Sequence, residues 1–550
     1  MGENLMATSR ERVSYNLGRL LRFLKLFFRN KRGALGVVIL MVFVVMALGA
    51  PFMTPYDPVL STGLATRVAA PAWLRNLPGG EYLTENLMVV SDQGFNNLDS
   101  IKEWNFTSNP QGKGVSMQYT ANVQNPQSGG SGSGSVAITF RREETGRIYR
   151  NVNASFTKDF YYPYKGLPGR FLANIAFTCE GTSEIVAGKS LLDVPAKISV
   201  FLRVDNYTYY LWPEPFPYNP VTPSGEQPLT QEGEVQTSMK SMWISSKDSP
   251  IDSQWPGLLR KIHGTSTIVT DPVLIVFNQS RIPNTYTFGV DITFEDTNLN
   301  SRDKKVETRI YLDDLQVRLY GTSFGILGTD QLGRDIFSQL VYGASLSLYI
   351  GLLTSIISVV LGLVIGLAAG YLGRLADEVM MRFTDMLLVL PNLPLMIVLV
   401  AVLGANLTNL IVILSVLGWM GFARTVRSQV LSLRERPFIE AAKAIGAGKT
   451  HIIMRHVLPN VMSLVYVTLA TSVPGAIVAE AALSWLGFFW GPSVTSWGGM
   501  LRDVQATEGA STKLWWVLPP GLSIAAIALS FVLLGYALDD VLNPKLRIRR

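Results

Sequence analysis

The stretch SLSLYIGLLTSIISVVLGLVIGLAAG, residues 345–370, decides the fold, because it holds no charged residue and is long enough to cross a membrane. A helix needs about 20 apolar residues to span the roughly 30 Å of hydrocarbon in a bilayer. Further apolar runs lie at 34–52, 386–404, 408–423, 461–483 and 515–537. We therefore predict a polytopic all-α membrane protein with six transmembrane helices.

The composition agrees with a membrane protein and excludes several other classes. Hydrophobic residues make up 48% of the chain and charged residues 16%, against about 25% charged in soluble proteins. The net charge of +7 comes from basic residues that flank the apolar runs, which disfavours a nucleic-acid binder. Cys179 is the single cysteine and there are three histidines, so we expect no disulfide framework and no metal site.

The N-terminal part combines a basic segment with the first apolar run. Leucine and phenylalanine residues recur every three or four positions among the arginines and lysines of residues 1–32, which predicts a cytoplasmic amphipathic helix on the membrane surface. Residues 33–53 are predicted to be the first transmembrane helix. The alternative is a cleaved signal peptide, since Ala47-Leu48-Gly49 resembles a cleavage site.

The charges of the loops predict the orientation. Six crossings from a cytoplasmic N-terminus return the C-terminus to the cytoplasm, and basic residues should then enrich the inner loops. The loop between the fourth and fifth helices is strongly basic, as is the C-terminal tail with Lys545, Arg547, Arg549 and Arg550. Five Asn-x-Ser/Thr sites, beginning at Asn105, Asn153, Asn206, Asn278 and Asn406, all fall in segments predicted to be outside. We expect a multi-pass protein of the cell membrane.

Residues 54–325 form a polar interruption with no spanning segment. Apolar and polar residues alternate in 115–123, 136–140, 198–204 and 286–294, as they do in half-buried strands. Turns rich in proline and glycine separate these segments, which favours an inserted extracytoplasmic domain with an antiparallel β-sandwich. The segment 309–320 (RIYLDDLQVRLY) weakly resembles the closing strand of jelly-roll carbohydrate-binding modules; the alternative is a sandwich that serves only for docking or packing.

A short alanine-rich segment between the fourth and fifth helices carries the functional prediction. Within a loop at about 424–460, the sequence Glu440-Ala441-Ala442 is followed by Gly446 and later by Leu458-Pro459. We predict two short helices that break near Gly446 and stop at Pro459. The alanines are predicted to form a small exposed surface against which another protein packs, so that its movement reaches both flanking spans.

The same segment closely resembles the EAA loop of ATP-binding-cassette importer permeases. His456, two positions before Leu458, is similar to the dipeptide/oligopeptide permease branch. The resemblance implies a type I importer transmembrane domain at 326–550 in which Glu440, Ala441, Ala442, Gly446, Leu458 and Pro459 couple to an ATPase. The implied partners are a second homologous permease, two ATPase subunits that bind ATP and magnesium, and an extracytoplasmic substrate-binding protein.

Other motifs resemble the same branch. They are the segment 328–335 (GTDQLGRD), Pro391, Ser496-Trp497-Gly498 and Asn543-Pro544. For Gly333-Arg334-Asp335 two interpretations stay open. The three residues are either a contact for the binding protein or partner permease, or a turn in which Arg334 pairs with Asp335 or Asp330.

The chain itself shows no sign of catalysis or ion coupling. Gly448-Lys449-Thr450 resembles the end of a phosphate-binding loop, but Lys443 stands where that loop requires its first glycine, so we expect no nucleotide site. No charge lies near the centre of a predicted span, which disfavours a proton-coupled transporter. We therefore predict an importer permease without enzymatic activity and without a cofactor of its own.

Alternatives concern the substrate and the protein class. The resemblance implies short peptides, and the jelly-roll hint keeps oligosaccharides such as cellobiose-type β-glucosides open. A membrane-anchored β-sandwich receptor would leave five spans unexplained. A membrane glycosidase would need two carboxylates that flank one bond, whereas Asp313 and Asp314 are adjacent and should point to opposite faces of a strand.

Overall fold

The computed structural model describes most of the membrane core and the regular parts of the inserted domain. The described residues are 27–110, 114–121, 123, 134–143, 151–181, 185–186, 189–190, 196–212, 234–235, 244–245, 251–253, 271–278, 280, 282–296, 305–488 and 495–542. The predicted amphipathic helix before residue 27, the motif Asn543-Pro544 and the basic tail lie outside them. The chain divides into a helical unit, with residues up to Thr62 and Asp330–Arg550, and a second unit, Gly63–Thr329.

Eleven helices are described in the helical unit and one in the second unit. The described helices are α1 Lys31–Met53, α2 Pro272–Val276, α3 Ile336–Leu372, α4 Arg374–Val389, α5 Asn392–Leu403, α6 Leu407–Gly418, α7 Met420–Arg434, α8 Pro437–Ala444, α9 Lys449–Ile452, α10 Leu458–Trp485, α11 Trp497–Ala506 and α12 Leu514–Leu542. A π-helical turn, Ile453–Val457, joins α9 to α10. Short 3-10 helices lie at Ala72–Asn76, Gly80–Tyr82, Leu98–Glu103 and Ala510–Thr512.

Five helical segments among the described residues are long and apolar enough to cross a membrane. They are Lys31–Met53, Ile336–Leu372, Leu407–Arg434, Lys449–Trp485 and Leu514–Val541. A sixth candidate is the pair Leu375–Val389 and Asn392–Leu403, which is bent by 91° at the break. Each of the six predicted apolar runs falls in one of these segments.

The prediction of one helix over 386–404 is wrong, because the chain bends at Pro391. Leu390 is extended, with ψ 134°, as expected for a residue whose helical conformation clashes with the ring of the following proline. Pro391 then precedes the first turn of α5. Pro474, by contrast, lies inside α10 without ending that helix.

Three glycines at four-residue spacing bring α3 against α7. A Cβ on Gly362 would lie 2.8 Å from the Trp419 carbonyl oxygen, and one on Gly366 would lie 2.6 Å from that of Ala423. Gly370 approaches Val430 in the same way. Small residues at this spacing allow the close backbone approach that favours helix packing in membranes, so α3 and the helix leading to the alanine-rich segment are closely packed.

The second unit contains two large antiparallel sheets whose apolar side chains share one core, and a separate two-stranded sheet of β7 and β8. The strands are β1 Leu87–Met88, β2 Asn105–Asn109, β3 Val115–Ala121, β4 Gly134–Arg142, β5 Val152–Tyr162, β6 Arg170–Gly181, β7 Ile185–Val186, β8 Lys189–Ser190, β9 Ala196–Val204, β10 Tyr207–Trp212, β11 Glu234–Val235, β12 Ile244–Ser245, β13 Ile251–Asp252, β14 Asn284–Phe294 and β15 Val306–Tyr320. One sheet has the order β12-β6-β15-β4-β3, with β1 and β13 at its margins, and the other has the order β10-β9-β14-β5-β2, with β11 on β9.

The strand register explains the alternation in the sequence. Val290 faces Phe156 on β5 and Val200 on β9 across the ladders, and all three side chains are buried in the shared core. Each of the five segments predicted as strands lies largely within an observed strand. Of the tip predicted at 128–135, only Gly134 and Ser135 are described, and they begin β4.

One detail of the sequence interpretation changes. Strand β15 is irregular between Asp313 and Gln316, and Asp314 has φ +51°. The regular strand geometry assumed for Asp313-Asp314 is therefore interrupted there, although Asp313 is buried and Asp314 is half-buried.

Candidate functional site

The alanine-rich segment begins with a helix whose first turn is set by sequence. Arg436 is extended and Pro437 occupies the first turn of α8, where its missing N–H costs no hydrogen bond and its fixed φ suits a helix. Glu440 also lies in this first turn. A carboxylate there interacts favourably with the positive end of the helix dipole, so local sequence favours a helix start at this point.

Gly446 ends α8 in the way the sequence predicts. Its φ is +80°, a left-handed conformation that glycine adopts without the steric cost paid by other residues. The Gly446 N–H donates to the Lys443 carbonyl at 3.0 Å, and the Ala447 N–H donates to the Ala442 carbonyl at 3.1 Å. This pair of bonds is the Schellman ending, which satisfies carbonyls that the helix leaves free.

One face of α8 is buried in the helical unit. Ile439 is fully buried and Ala442 is 6% exposed, and both belong to a core cluster with side chains of α3, α7 and α10, among them Val426 and Val461. The prediction that Ala442 lies on an exposed alanine surface is therefore wrong. Its small side chain instead lets α8 approach the core, so displacement of α8 would displace the helices it packs on.

The opposite face of α8 is open. Glu440, Ala441, Lys443 and Ala444 are exposed. The Glu440 backbone N–H donates to the Arg436 carbonyl, but its carboxylate makes no hydrogen bond or ion pair with another described residue. Ile445 is 86% exposed. Sequence reasoning missed Ile445, although an apolar residue beside a helix-ending glycine was a visible signal. We refer to Glu440, Ala441, Lys443, Ala444 and Ile445 as the coupling face.

Pro459 does not stop a helix, contrary to the sequence prediction. It lies in the first turn of α10, which follows the π-helical turn directly. The Leu458 N–H donates to the Ile453 carbonyl, five residues earlier, and this wider turn makes room where a proline would otherwise clash with the preceding turn. Helical structure therefore runs without a break from α9 through the π-helical turn into the long helix α10, as one segment Lys449–Trp485.

Replacing Gly446 tests the left-handed turn. Alanine at this position costs about 1–2 kcal/mol for the left-handed conformation, although no atom would clash with its Cβ. The resemblance of this segment to the EAA loop implies ATP-driven uptake. We expect that uptake, measured in vesicles, to fall in the order glycine, asparagine, alanine, valine, because asparagine tolerates this conformation best after glycine.

Gly448 is the matched control. Its φ is −66° and a Cβ there also meets nothing within 4 Å, so Gly448→Ala should transport like the unchanged protein. Equal effects of Gly446→Ala and Gly448→Ala would show that the turn conformation is not needed.

The segment 330–335 forms a buried turn before α3. Asp330 Oδ1 accepts the backbone N–H groups of Leu332 and Arg334, at 2.8 and 2.9 Å. The Arg334 guanidinium donates to Asp330 Oδ2 at 2.6 Å and to Asp503 Oδ2 of α11 at 3.0 Å. Arg334 is 6% exposed. The sequence left Asp330 and Asp335 open as partners of Arg334, and the structure shows the pair with Asp330. Asp503 is a second partner that sequence reasoning missed.

Asp335 caps α3 and pairs with no arginine among the described residues. Its Oδ2 accepts the Ser338 N–H at 2.9 Å. Burial raises the pKa of Asp335, against the effect of its hydrogen bonds from Ser338. Burial likewise raises the pKa of Asp503, and Arg334 opposes that shift. Because Gly333, Arg334 and Asp335 are all buried within the chain, their placement supports the structural turn and not an exposed contact surface.

The Ser496-Trp497-Gly498 motif joins three helices. Ser496 caps α11, and its hydroxyl donates to Glu480 of α10 at 2.8 Å. Trp497 is fully buried and its indole N–H donates to the Leu340 carbonyl of α3 at 3.0 Å. A Cβ on Gly498 would lie 2.6 Å from Ala481. The motif thus holds α11 against α3 and α10.

Glu480 is a buried acid that sequence reasoning did not single out. It is 1% exposed, and its Oε1 accepts hydroxyls from Ser484 and Ser496, both at 2.8 Å. Its Oε2 is buried without a hydrogen-bond partner among the described residues. The residue lies near the C-terminal end of α10, away from the middle of that helix.

Comparisons with known proteins cover both parts of the helical unit. Residues 362–548 match a family described as "Binding-protein-dependent transport system inner membrane component", and residues 19–73 match one described as "N-terminal TM domain of oligopeptide transport permease C". The first match includes the coupling face and Glu480. Residues 74–361, which include most of the polar insertion, lie between the two matches.

Individual relatives show the same pattern. The dipeptide transport system permease protein DppC of Bacillus subtilis is 41% identical over 40% of this chain and 68% of its own length. DppC of Alkalihalophilus pseudofirmus is 40% identical over 40% of this chain and 72% of its own. The oligopeptide transport system permease protein OppC of Bacillus subtilis is 36% identical over the same shares, 40% and 72%.

A solved structure of carbohydrate-binding modules of the β-sandwich superfamily aligns with 41% of this chain and 61% of its own. Its identity is 9% and its TM-score 0.21. This likeness is too low to carry an argument about the fold or the ligand of the second unit.

Proposed function

Because this chain belongs to the family of binding-protein-dependent transport system inner membrane components, we propose that it is the permease subunit of an ATP-binding-cassette importer for short peptides. The observation that carries the proposal is the identity of at least 36% to dipeptide and oligopeptide permeases. These relatives favour peptides over the oligosaccharides that the sequence left open. As the relatives are permease subunits, the chain is a transport component and not an enzyme.

The proposed assembly places ATP hydrolysis on other chains. Two ATPase subunits bind ATP and magnesium, and one of them docks on the coupling face of this chain. A second homologous permease completes the path and offers the corresponding loop to the other ATPase, and an extracytoplasmic binding protein delivers the peptide. Support for the docking comes from the open face of α8 with its negative Glu440, positive Lys443 and apolar Ile445. A surface of mixed charge around an apolar residue suits a protein partner.

The proposed topology counts the bent pair α4 and α5 as one span, which gives six crossings and the type I importer arrangement. Both termini and the coupling face then lie in the cytoplasm, where the positive-inside rule prefers Arg424, Arg427 and Arg434. The second unit lies outside. We propose that its two large sheets form a β-sandwich that acts as a docking or packing surface, since their buried side chains share one core.

The proposed mechanism is alternating access driven through α8. ATP binding closes the ATPase pair and displaces the coupling face, and Ile439 and Ala442 pass that displacement to the core they share with α3, α7 and α10. ATP can shift the equilibrium between outward-facing and inward-facing states only if it binds one of them more tightly. The burial of Ile439 and Ala442 in the core that includes α10 side chains supports a direct transfer of movement to that helix.

Uptake by the purified complex tests the proposal. The chain should be isolated from its own membrane with its bound partners, reconstituted in sealed vesicles, and given binding protein with labelled dipeptide or labelled cellobiose. We expect dipeptide uptake that requires ATP on the side of the coupling face. Cellobiose uptake without dipeptide uptake would contradict the proposed substrate. Labelling of residues 440–450 from the side opposite to ATP would contradict the proposed topology.

A further inference from the structure

A pocket of about 680 Å³ lies in the helical unit between the loop that follows α1 and one face of α3. Its lining is largely apolar, with Leu346 among the side chains, and its polar groups come from three places in the sequence. These polar groups are Asp57, Tyr342, Ser345, Tyr349 and Thr495. Ligand sites in proteins commonly have this size and this combination of apolar walls with a few polar groups.

Asp57 is the charged side chain among the described lining residues. Its Oδ1 accepts the backbone N–H groups of Val59 and Leu60, at 2.8 and 2.6 Å, and its own N–H donates to the Ser61 hydroxyl. No described residue donates to its Oδ2. The turn therefore holds the carboxylate in place while one of its oxygens stays available for a cation.

The tyrosines provide the apolar and aromatic wall. Tyr342 and Tyr349 are seven residues apart on α3, two helical turns or about 10 Å along its axis. Tyr349 is 52% exposed and Tyr342 is half-buried. Leu346 lies between them on the same face. Aromatic rings attract cations as well as apolar groups, so the wall suits a ligand that has an apolar side chain close to a positive charge.

We propose that this pocket binds the amino-terminal residue of a peptide substrate, with its α-ammonium at Asp57 and its side chain against Tyr342, Leu346 and Tyr349. The inference rests on the proposed function. The described lining residues include no lysine or arginine to receive a carboxylate, so the pocket takes the amino end of the peptide and not its carboxyl end. An acetylated amino end would leave the Asp57 charge without a partner.

The pocket also adjoins the helices that carry the coupling movement. Thr495 in its wall precedes Ser496, which caps α11 and donates to Glu480 of α10. Helix α10 shares a core with the buried face of α8. A peptide held at Asp57 and against Tyr342 therefore contacts α3 directly, and the Thr495 wall of its pocket is adjacent to the residue that links to α10.

A ratio of uptake rates tests the pocket in the complete complex. Uptake of one dipeptide and of its N-acetylated form is measured for the unchanged protein and for Asp57→Asn, with saturating binding protein loaded with each peptide. Asparagine keeps the oxygen that accepts from Val59 and Leu60, so only the charge is lost. Because asparagine offers the ammonium no charged partner, we expect the preference for the free amino group, measured as the ratio of the two uptake rates, to narrow about tenfold.

The ratio of the two uptake rates distinguishes a preference for the free amino group that arises in this pocket from one that arises in the binding protein. Any preference of the binding protein is the same in both variants and cancels in the comparison. Glu508→Gln removes an exposed carboxylate of the helical unit outside the pocket and should leave the ratio unchanged. An unchanged ratio in Asp57→Asn, or an equal loss for both peptides, would overturn the inference. Absence of any ATP-driven peptide uptake by the unchanged protein would instead overturn the proposed function.

Discussion

Replacing Arg334 by methionine should sharply reduce the amount of folded protein in the membrane. Arg334 is the cation between Asp330, which is fully buried, and Asp503. Methionine preserves much of the apolar volume but leaves two acids without a counter-charge. Removing one member of a buried ion network costs about 3–5 kcal/mol, a large share of the roughly 5–15 kcal/mol that keeps a typical protein folded.

The measurement is the monodisperse fraction of detergent-solubilised protein and its thermal unfolding midpoint. Arg382→Met is the matched control, because Arg382 pairs with Glu378 on the surface of α4 with both side chains more than half exposed. Exposed pairs contribute little to stability, so this variant should unfold like the unchanged protein. If both variants unfolded alike, the Asp330-Arg334-Asp503 network would not stabilise the fold. Partial recovery on adding Asp503→Leu would identify the unpaired acid as the cause of the loss.

The spans were predictable from sequence because hydrocarbon thickness sets a minimum apolar length. The 91° bend between α4 and α5 was within reach as well, since Pro391 restricts the residue before it. The angle of the bend depends on the neighbouring helices and could not be predicted from the apolar segment 386–404. The spacing of the glycines at 362, 366 and 370 predicts that this face of α3 packs closely on another helix. The sequence does not identify α7 as that helix, because residue spacing defines a face but not the element that packs on it.

For the strands, too, local features were predictable from sequence and the packing partners were not. Segment 152–162 alternates as clearly as those predicted, with Val152, Ala154 and Phe156 buried, and the signal was available. Segment 170–181 has alanine on both faces, at Ala173 and Ala176, which weakens the alternation. The order of strands within each sheet depends on pairings between distant parts of the chain, and local periodicity holds no information about them.

At the candidate site, sequence identified the turn but not the orientation of its helix. Gly446 was predictable as a break because a glycine after a helical run favours the left-handed ending. The sequence could not predict which alanine of α8 is buried, because alanine fits either face of an eight-residue helix. The buried face is the one that carries Ile439, and Ala442 lies on it. Arg334 follows the same rule: Asp330 is four residues away, whereas Asp503 is 169 residues away and is brought close only by the fold.

Charge reversal at Glu440 should abolish uptake while leaving the permease folded. Glu440 is exposed on the coupling face and its carboxylate has no partner among the described residues, so lysine removes no contact within the chain. It does place a positive charge at the positive end of the α8 dipole and beside Lys443. An ATPase surface complementary to a carboxylate would then meet a like charge, and such a mismatch costs several kcal/mol at an interface.

The expected result is at least a tenfold fall in ATP-driven uptake with the thermal unfolding midpoint nearly unchanged, and continued ATP hydrolysis by any complex that still assembles. Glu440→Gln, which removes the charge without reversing it, should lie between lysine and the unchanged residue. Glu508→Lys makes the same reversal on an exposed residue outside the coupling face and should transport normally. Because none of the three variants alters the core, a graded loss at Glu440 that Glu508→Lys does not share, with the unfolding midpoint unchanged, would indicate a partner that docks at Glu440. Normal uptake by Glu440→Lys would exclude that docking.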